Sequence, residues 1–274
     1  MASSLKLGTA QYTYLWDRTL AEALQEIKAL GFKFLELMTT VPHLWPPALT
    51  QNDRNDLRKK IDRLELELVA TNPTFLDINL ASTNPGFRKE SVQQILDQIT
   101  LAHDLGAKII VVIVGKRHPL LAPPFEIIWE KFAKESVLKC VEHAEKHNVI
   151  FGLENGPSLF VDNTDKMLFV LNDIGSASMK MVFDVANASM VEPLDSAFEK
   201  IKHHLAHVHL SDTDFKTWTH SPVGAGKIDF ALVAKKLREI NYSGTSILET
   251  TYAEDPKWGI MSSVEKLITL GWQI

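Results

Sequence analysis

With a single cysteine, Cys140, in 274 residues, the chain has no partner for an internal disulfide. That scarcity suits a reducing, cytoplasmic setting. Long hydrophobic runs are missing too. The longest strongly apolar stretch, Ile109 to Val114, falls far short of the roughly 20 residues that a membrane-spanning helix needs. The opening segment Met1-Ala2-Ser3-Ser4-Leu5-Lys6 lacks a basic region followed by an apolar one, so no secretory leader is expected. No stretch rich in Ser, Pro or Gly divides the chain, and one domain over residues 1–274 is expected. Charge of one sign is barely in excess, with 29 basic against 34 acidic residues and a net charge of −5. The basic residues are scattered along candidate helices rather than gathered on one face, which argues against a nucleic-acid partner.

What the sequence does have is alternation. Short apolar runs at Leu5–Gln11, Phe32–Met38, Glu67–Asn72, Lys108–Val114, Val149–Glu154, Met179–Asp184, Leu205–Leu210 and Thr245–Glu249 read as strands. They are apolar almost throughout, as strands buried on both faces should be. Between them, apolar residues three and four apart predict helices over Thr19–Leu30, Asp53–Leu66, Lys89–Leu105, Phe125–His147, Thr164–Asn172, Leu194–His203, Phe230–Ile240 and Lys257–Leu270. Gly31, Gly106, Gly175 and Gly244 sit where helix C-caps belong, and Asn163 and Asp229 where N-caps belong. Eight strand–helix units of about 34 residues predict the α/β class and a single (β/α)8 TIM barrel. Two loops, Pro73–Arg88 and Ser211–Ile228, exceed the turns around them and should lie over the site.

In such a barrel, residues at the C-terminal strand ends carry chemistry. Here strand five ends in Glu154, strand six in Asp184, strand seven in His209 and strand eight in Glu249. One carboxylate at a strand end can simply cap a helix. Three carboxylates converging on one mouth repel unless a cation compensates, and a divalent metal resolves the conflict. Three oxygens and one nitrogen suit Mn²⁺ first, with Mg²⁺, Co²⁺ or Zn²⁺ as alternatives. His207 faces the same way as His209, further from the mouth, and reads as a supporting or core histidine.

Glu154-Asn155 after an apolar strand, Asp184 ending Val-Phe-Asp, His207-Val-His-Leu-Ser-Asp212 and Glu249 after Ser-Ile-Leu resemble the xylose-isomerase-like sugar phosphate isomerase/epimerase superfamily. The segment His220 to Phe230 resembles that family's glycine-bearing loop after strand seven. The resemblance covers essentially the whole chain. It implies one divalent metal held by Glu154, Asp184, His209 and Glu249, and a keto sugar or related polyol as substrate. It further implies Glu154 and Glu249 as the acid/base pair of an isomerase or epimerase working through an enediolate. Relatives of this kind form homodimers or homotetramers.

Departures from the family keep other readings open. Ketose 3-epimerases carry a histidine three residues after the aspartate ligand, where Asn187 stands, and a glutamate six residues after the first ligand, where Phe160 stands. Their arginine in the loop after strand seven has no counterpart; Lys216 is the nearest base. A dehydratase of the inosose-dehydratase type shares the first half of the mechanism and is the main alternative. A non-catalytic sugar-binding relative and an endonuclease IV-like enzyme rank lower. The latter needs further histidines after strands three, four and six, and the chain offers Asn72, a distant His118 and Asn187 there, although His220 matches. Candidate substrate contacts at the mouth are Asn187, His220, Tyr12, Trp16, Glu36 and Lys116. For each a plainer role is open: roofing the barrel rather than stacking on a sugar for Tyr12 and Trp16, as for Tyr14 and Trp45, pairing with a neighbouring helix for Glu36, and a place in a solvated loop for Lys116.

Overall fold

The computed structural model of the chain describes residues 4–73, 77–118, 120, 123–251 and 254–274. The first three residues of the segment read for a leader therefore lie outside the described residues, as do residues 74–76 of the first long loop. Strands β1 (Leu5–Ala10), β2 (Phe34–Met38), β3 (Glu67–Asn72), β4 (Ile109–Val112), β5 (Ile150–Glu154), β6 (Met179–Asp184), β7 (Leu205–Leu210) and β8 (Thr245–Leu248) pair in sequence order. Pairing of β1 with both β2 and β8 closes the sheet, and every pair is parallel. The fold is a (β/α)8 TIM barrel, as the alternation predicts.

Around it run α1 (Leu20–Ala29), α2 (Gln51–Arg63), α3 (Pro85–Leu105), α4 (Phe125–Ile128), α5 (Lys134–Lys146), α6 (Thr164–Ile174), α7 (Val185–Ser189), α8 (Leu194–Ile201), α9 (Phe230–Glu239) and α10 (Pro256–Thr269). Their starts follow local chemistry. Thr19 with Glu22 and Thr50 with Asp53 form reciprocal capping boxes, and Asn163 and Asp229 cap α6 and α9 as expected. Gly106 and Gly175 end α3 and α6 in the left-handed conformation. After α9 that conformation falls to Asn241, φ 55°, rather than to Gly244. Among the described residues no helix is long and apolar enough to cross a membrane.

Three details differ from the sequence reading. The stretch Phe125–His147 is not one regular helix, because a π-helical segment, Trp129–Ala133, separates α4 from α5. A short ninth strand, β9 (Trp272–Gln273), tucks beside the start of β1, with Leu5 opposite Trp272. Finally, α7 begins directly on Asp184, which caps it.

The loop over residues 211–228 is organised by one carboxylate. Asp212, fully buried, accepts from the backbone N–H groups of Thr213 (2.9 Å), Gly224 (2.7 Å) and Ile228 (3.1 Å). Replacing Asp212 with Ala strands three donors, those of Thr213 and Ile228 buried, so a loss of about 3–5 kcal/mol is expected. Urea unfolding checks this; a loss below about 1 kcal/mol would mean that the loop finds other acceptors.

Candidate metal centre

Strand geometry assembles the centre. Glu154 is the last residue of β5, Asp184 the last of β6, His209 the penultimate residue of β7, and Glu249 follows β8. Each arrives on a different strand, so the barrel's closure alone brings them together. One ligand atom from each of the four lies within 4.8 Å of every other, and all four residues are buried. His209 Nδ1 is 2.7 Å from Glu154 Oε1 and 3.3 Å from Glu249 Oε2.

The fit to a cation can be tested on Asp184. Its Oδ1 accepts the Asn187 N–H at 2.6 Å, as the cap of α7. Its Oδ2 is buried with no hydrogen-bond partner. A buried carboxylate oxygen without a donor is costly unless a cation meets it. With three carboxylates and an imidazole nitrogen converging around that oxygen, the donor set fits a hard or borderline divalent ion.

Electrostatics agree. Burial raises the Glu154 carboxyl above its ordinary range, against the pull of His209 and with a further push from Asp184. Burial also raises Asp184, with His220 opposing and Glu249 adding to the rise. Burial alone would lower His209, yet Glu36, Glu249 and Glu154 lift it well above the usual imidazole value. Likewise burial would lower His220, and Asp184 and Glu249, 3.7 and 3.5 Å from its Nδ1, raise it. Both imidazoles thus hold a proton more tightly than an ordinary histidine does.

Beneath the centre lies a second layer, which holds His207, expected as a supporting or core histidine, and Glu36, expected as a substrate contact or a helix partner. Glu36 is fully buried, and its Oε2 lies 2.7 Å from His207 Nε2 and 3.0 Å from His209 Nε2. Asn72, ending β3, donates through Nδ2 to both Glu36 Oε1 and Glu249 Oε1 at 3.0 Å. Burial would raise the Glu36 carboxyl, but the charge of His209 and the hydrogen bonds from both imidazoles hold it well below its ordinary range. Burial lowers His207.

Above the centre is a cavity of about 420 Å³. Glu154, Glu249, Asn72, Asn187, His220, Tyr12 and Trp218 line its polar side, and Ile78, Ile95, Val112 and Leu159 its apolar side. Burial, then Glu249 and Glu154, pushes the Tyr12 hydroxyl up to about 12, so it stays a proton donor near neutrality. Asn187 spends both ends of its amide internally. Nδ2 donates to Asn155 O at 3.1 Å, and Oδ1 accepts the Trp218 indole N–H at 2.6 Å, which pins the loop after β7.

Of the six candidate substrate contacts, the structure brings Asn187, His220 and Tyr12 to this cavity. The other three it places elsewhere. Trp16, just beyond the turn Tyr12–Tyr14 whose Thr13 and Tyr14 are buried, is 82% exposed. Lys116 follows Gly115, φ 145°, and bridges to Leu159, which turns its side chain toward a neighbouring cavity of about 630 Å³. Glu36 points down into the barrel and not into the cavity wall. Phe160, where the epimerases' glutamate was looked for, stacks on Phe125 at 4.7 Å. Asn72 and Trp218 are the residues that sequence reasoning missed. Asn72 satisfied the same strand-end criterion as the four ligands, and that signal was available.

A family model described as xylose isomerase-like TIM barrel matches residues 24–269. An uncharacterized protein of Methanocaldococcus jannaschii is 28% identical over 264 residues, covering 92% of this chain and 85% of the relative. A fructoselysine 3-epimerase of Shigella flexneri is 23% identical over 256 residues, covering 90% of this chain and 92% of the relative. The solved structure of a D-tagatose 3-epimerase-like protein superposes with a TM-score of 0.84 at 25% identity, over 97% of both chains. With the barrel, the buried cluster and a family model spanning nearly its whole length, the chain belongs to the xylose isomerase-like TIM barrel family.

Proposed function

We propose that the protein is a divalent-metal-dependent sugar isomerase or epimerase that moves a proton on a carbon beside the carbonyl of a keto sugar or related polyol. One observation carries this reading: two buried glutamates, Glu154 and Glu249, flank one imidazole nitrogen, His209 Nδ1, at the floor of a sugar-sized cavity. The epimerase relatives support the reaction class. Glu154, Asp184, His209 and Glu249 would hold the ion, with Mn²⁺ as the leading choice over Mg²⁺, Co²⁺ or Zn²⁺. A bound divalent ion supplies Lewis acidity, polarising the carbonyl and neighbouring hydroxyl oxygens and so acidifying the adjacent C–H.

The protein's own groups do the rest. Glu154 rises from β5 and Glu249 from beyond β8, well apart around the barrel, so they address a substrate between them from different sides. One carboxylate removes the proton and the other returns one to the opposite face. Asn72 engages Glu249 Oε1, leaving Oε2, 3.3 Å from His209 Nδ1 and 3.5 Å from His220 Nδ1, as the atom that takes up and releases the proton. Tyr12, held protonated, donates to a substrate oxygen. No Lys or Arg stands among the described residues lining this cavity. That favours an uncharged sugar and offers nothing to a nucleic-acid backbone.

A dehydratase would use the same proton abstraction and then expel a hydroxyl, for which His220, raised in its affinity for a proton, is a suitable acid. Metal analysis of purified protein is expected to find about one divalent ion per chain. Deuterium incorporation from solvent into a panel of keto sugars and inososes identifies the substrate. New ultraviolet absorbance from a conjugated product would move the assignment to elimination. A chain that stays metal-free after incubation with each candidate ion would overturn the enzyme reading.

A further inference from the structure

We propose that Glu36, braced by His207 and Asn72, is the positioning group that fixes the tautomer and ring orientation of His209, and so aims Nδ1 at the metal. The proposal rests on the metal-dependent reading above and assigns a purpose to a carboxylate that touches neither the cavity nor the four-ligand cluster's open side.

The geometry constrains the ring at several points. Glu36 Oε2 is 3.0 Å from His209 Nε2, and a carboxylate can only accept, so Nε2 carries the hydrogen. Whenever the ring is neutral, its lone pair then sits on Nδ1, the nitrogen that faces Glu154 and Glu249. The same oxygen accepts from His207 Nε2 at 2.7 Å, and the two imidazole rings meet edge to face at 5.1 Å and 83°. His209 is therefore held by a hydrogen bond behind it and a ring beside it. Glu36 is held in turn by the Asn72 amide on its other oxygen, and that amide also grips Glu249. A register shift between Leu35 and Glu36 against β3 sits directly at this carboxylate, where a bulge re-aims a side chain.

Metal-bound histidines commonly hand their second nitrogen to a carboxylate, and losing that partner weakens metal binding about 10–100-fold. Glu36, His207 and His209 also place one ligand atom each within 4.8 Å of one another. A second ion among them would have to displace the hydrogens that join these three residues. The positioning role keeps those hydrogens, and the two assignments differ in stoichiometry.

The test uses the full chain and Mn²⁺ or Co²⁺ alone, titrated calorimetrically without any sugar. Glu36→Gln is expected to weaken the metal about 10–100-fold, with stoichiometry unchanged, and to alter the ligand-field spectrum of saturating Co²⁺. A purely structural role would leave that spectrum as in the parent. His207→Gln keeps an N–H near the position of Nε2 and should retain affinity within about threefold, whereas His207→Leu should lose about tenfold. That pair decides the matter if Glu36→Gln does not fold. Affinities of Glu36→Gln within about threefold of the parent, or two ions per parent chain, overturn the proposal. Because no sugar is present, a parent that binds metal but exchanges no deuterium defeats the proposed reaction and leaves this assignment standing. A parent that binds no divalent ion defeats both.

Discussion

Glu249→Gln abolishes solvent deuterium exchange into substrate, by about 10³-fold or more, while the barrel stays folded. The substitution keeps the shape and one hydrogen bond. Asn72 Nδ2, 3.0 Å from Oε1, can still donate to an amide oxygen in the same place. What disappears is the basic Oε2, since an amide nitrogen cannot take a proton near neutrality. In its place an N–H₂ group faces His209 Nδ1 and His220 Nδ1, at 3.3 and 3.5 Å in the parent. Both imidazoles can accept once they give up their protons, so the fold is expected to survive. Exchange is the right readout because it needs only the first proton transfer, whichever product follows. Circular dichroism and metal content verify that the variant is intact. Exchange at the parental rate in a folded, metal-loaded Glu249→Gln would remove Glu249 from the chemistry. Glu154→Gln provides the comparison: it too stops epimerisation, but the epimer whose C–H faces Glu249, the one that Glu249→Gln silences, still exchanges.

The four-ligand cluster was legible because each member interrupts an apolar run at the same place, the end of a parallel strand. Barrel closure then does what sequence cannot show, converting similar positions on separate strands into neighbours within 4.8 Å. Glu36 also interrupts an apolar run, but in the middle of β2, and its role was not legible. Whether such a side chain points up into the cavity or down into the barrel depends on its register, and β2 shifts register between Leu35 and Glu36. Asn72 entered the sequence reading only as the residue standing where a histidine would be needed, although it joins Glu36 to Glu249. Trp218 belongs to a loop whose path is set by Asp212 and by Asn187, residues distant in sequence from one or both of its ends. At the level of the fold, β9 spans two residues, too few for any period to show. The π segment within Phe125–His147 preserves the apolar spacing well enough to read as one helix. Lys116 and Trp16 mark the limit for loops. Both follow strands that end at the site, and a single turn carries each of them away from it.

Metal affinity is expected to rise steeply with pH, and the stability of the metal-free protein to move the opposite way. Glu36, Glu249 and Glu154 raise His209 well above the ordinary imidazole value despite its burial, and Asp184 with Glu249 raises His220. A group whose folded value is raised stabilises the fold fully below its unfolded value, about 6.5 for histidine, and that contribution is lost as pH rises through the folded value. Glu154 and Asp184, raised chiefly by burial, act in the same direction, since the folded chain holds their protons more tightly than the unfolded chain does. Above about pH 7, where His207, lowered by burial, has already lost its proton in both states, the metal-free protein therefore has a falling Tm. Binding through His209 Nδ1 requires that nitrogen to lose its proton, so every proton released adds about tenfold in affinity per pH unit. From pH 6 to pH 8, the Kd for Mn²⁺ should fall by about 10²-fold for one proton, and further if His220 or a carboxyl releases another. Calorimetry in two buffers of different ionisation enthalpy counts those protons directly. At a fixed excess of metal, stabilisation grows as RT ln(1 + [L]/Kd), so the downward slope of Tm with pH flattens or reverses. A Kd that does not change across this range would mean that His209 is already unprotonated at Nδ1 in the free protein. The positive charge offsetting the buried carboxylates would then lie elsewhere.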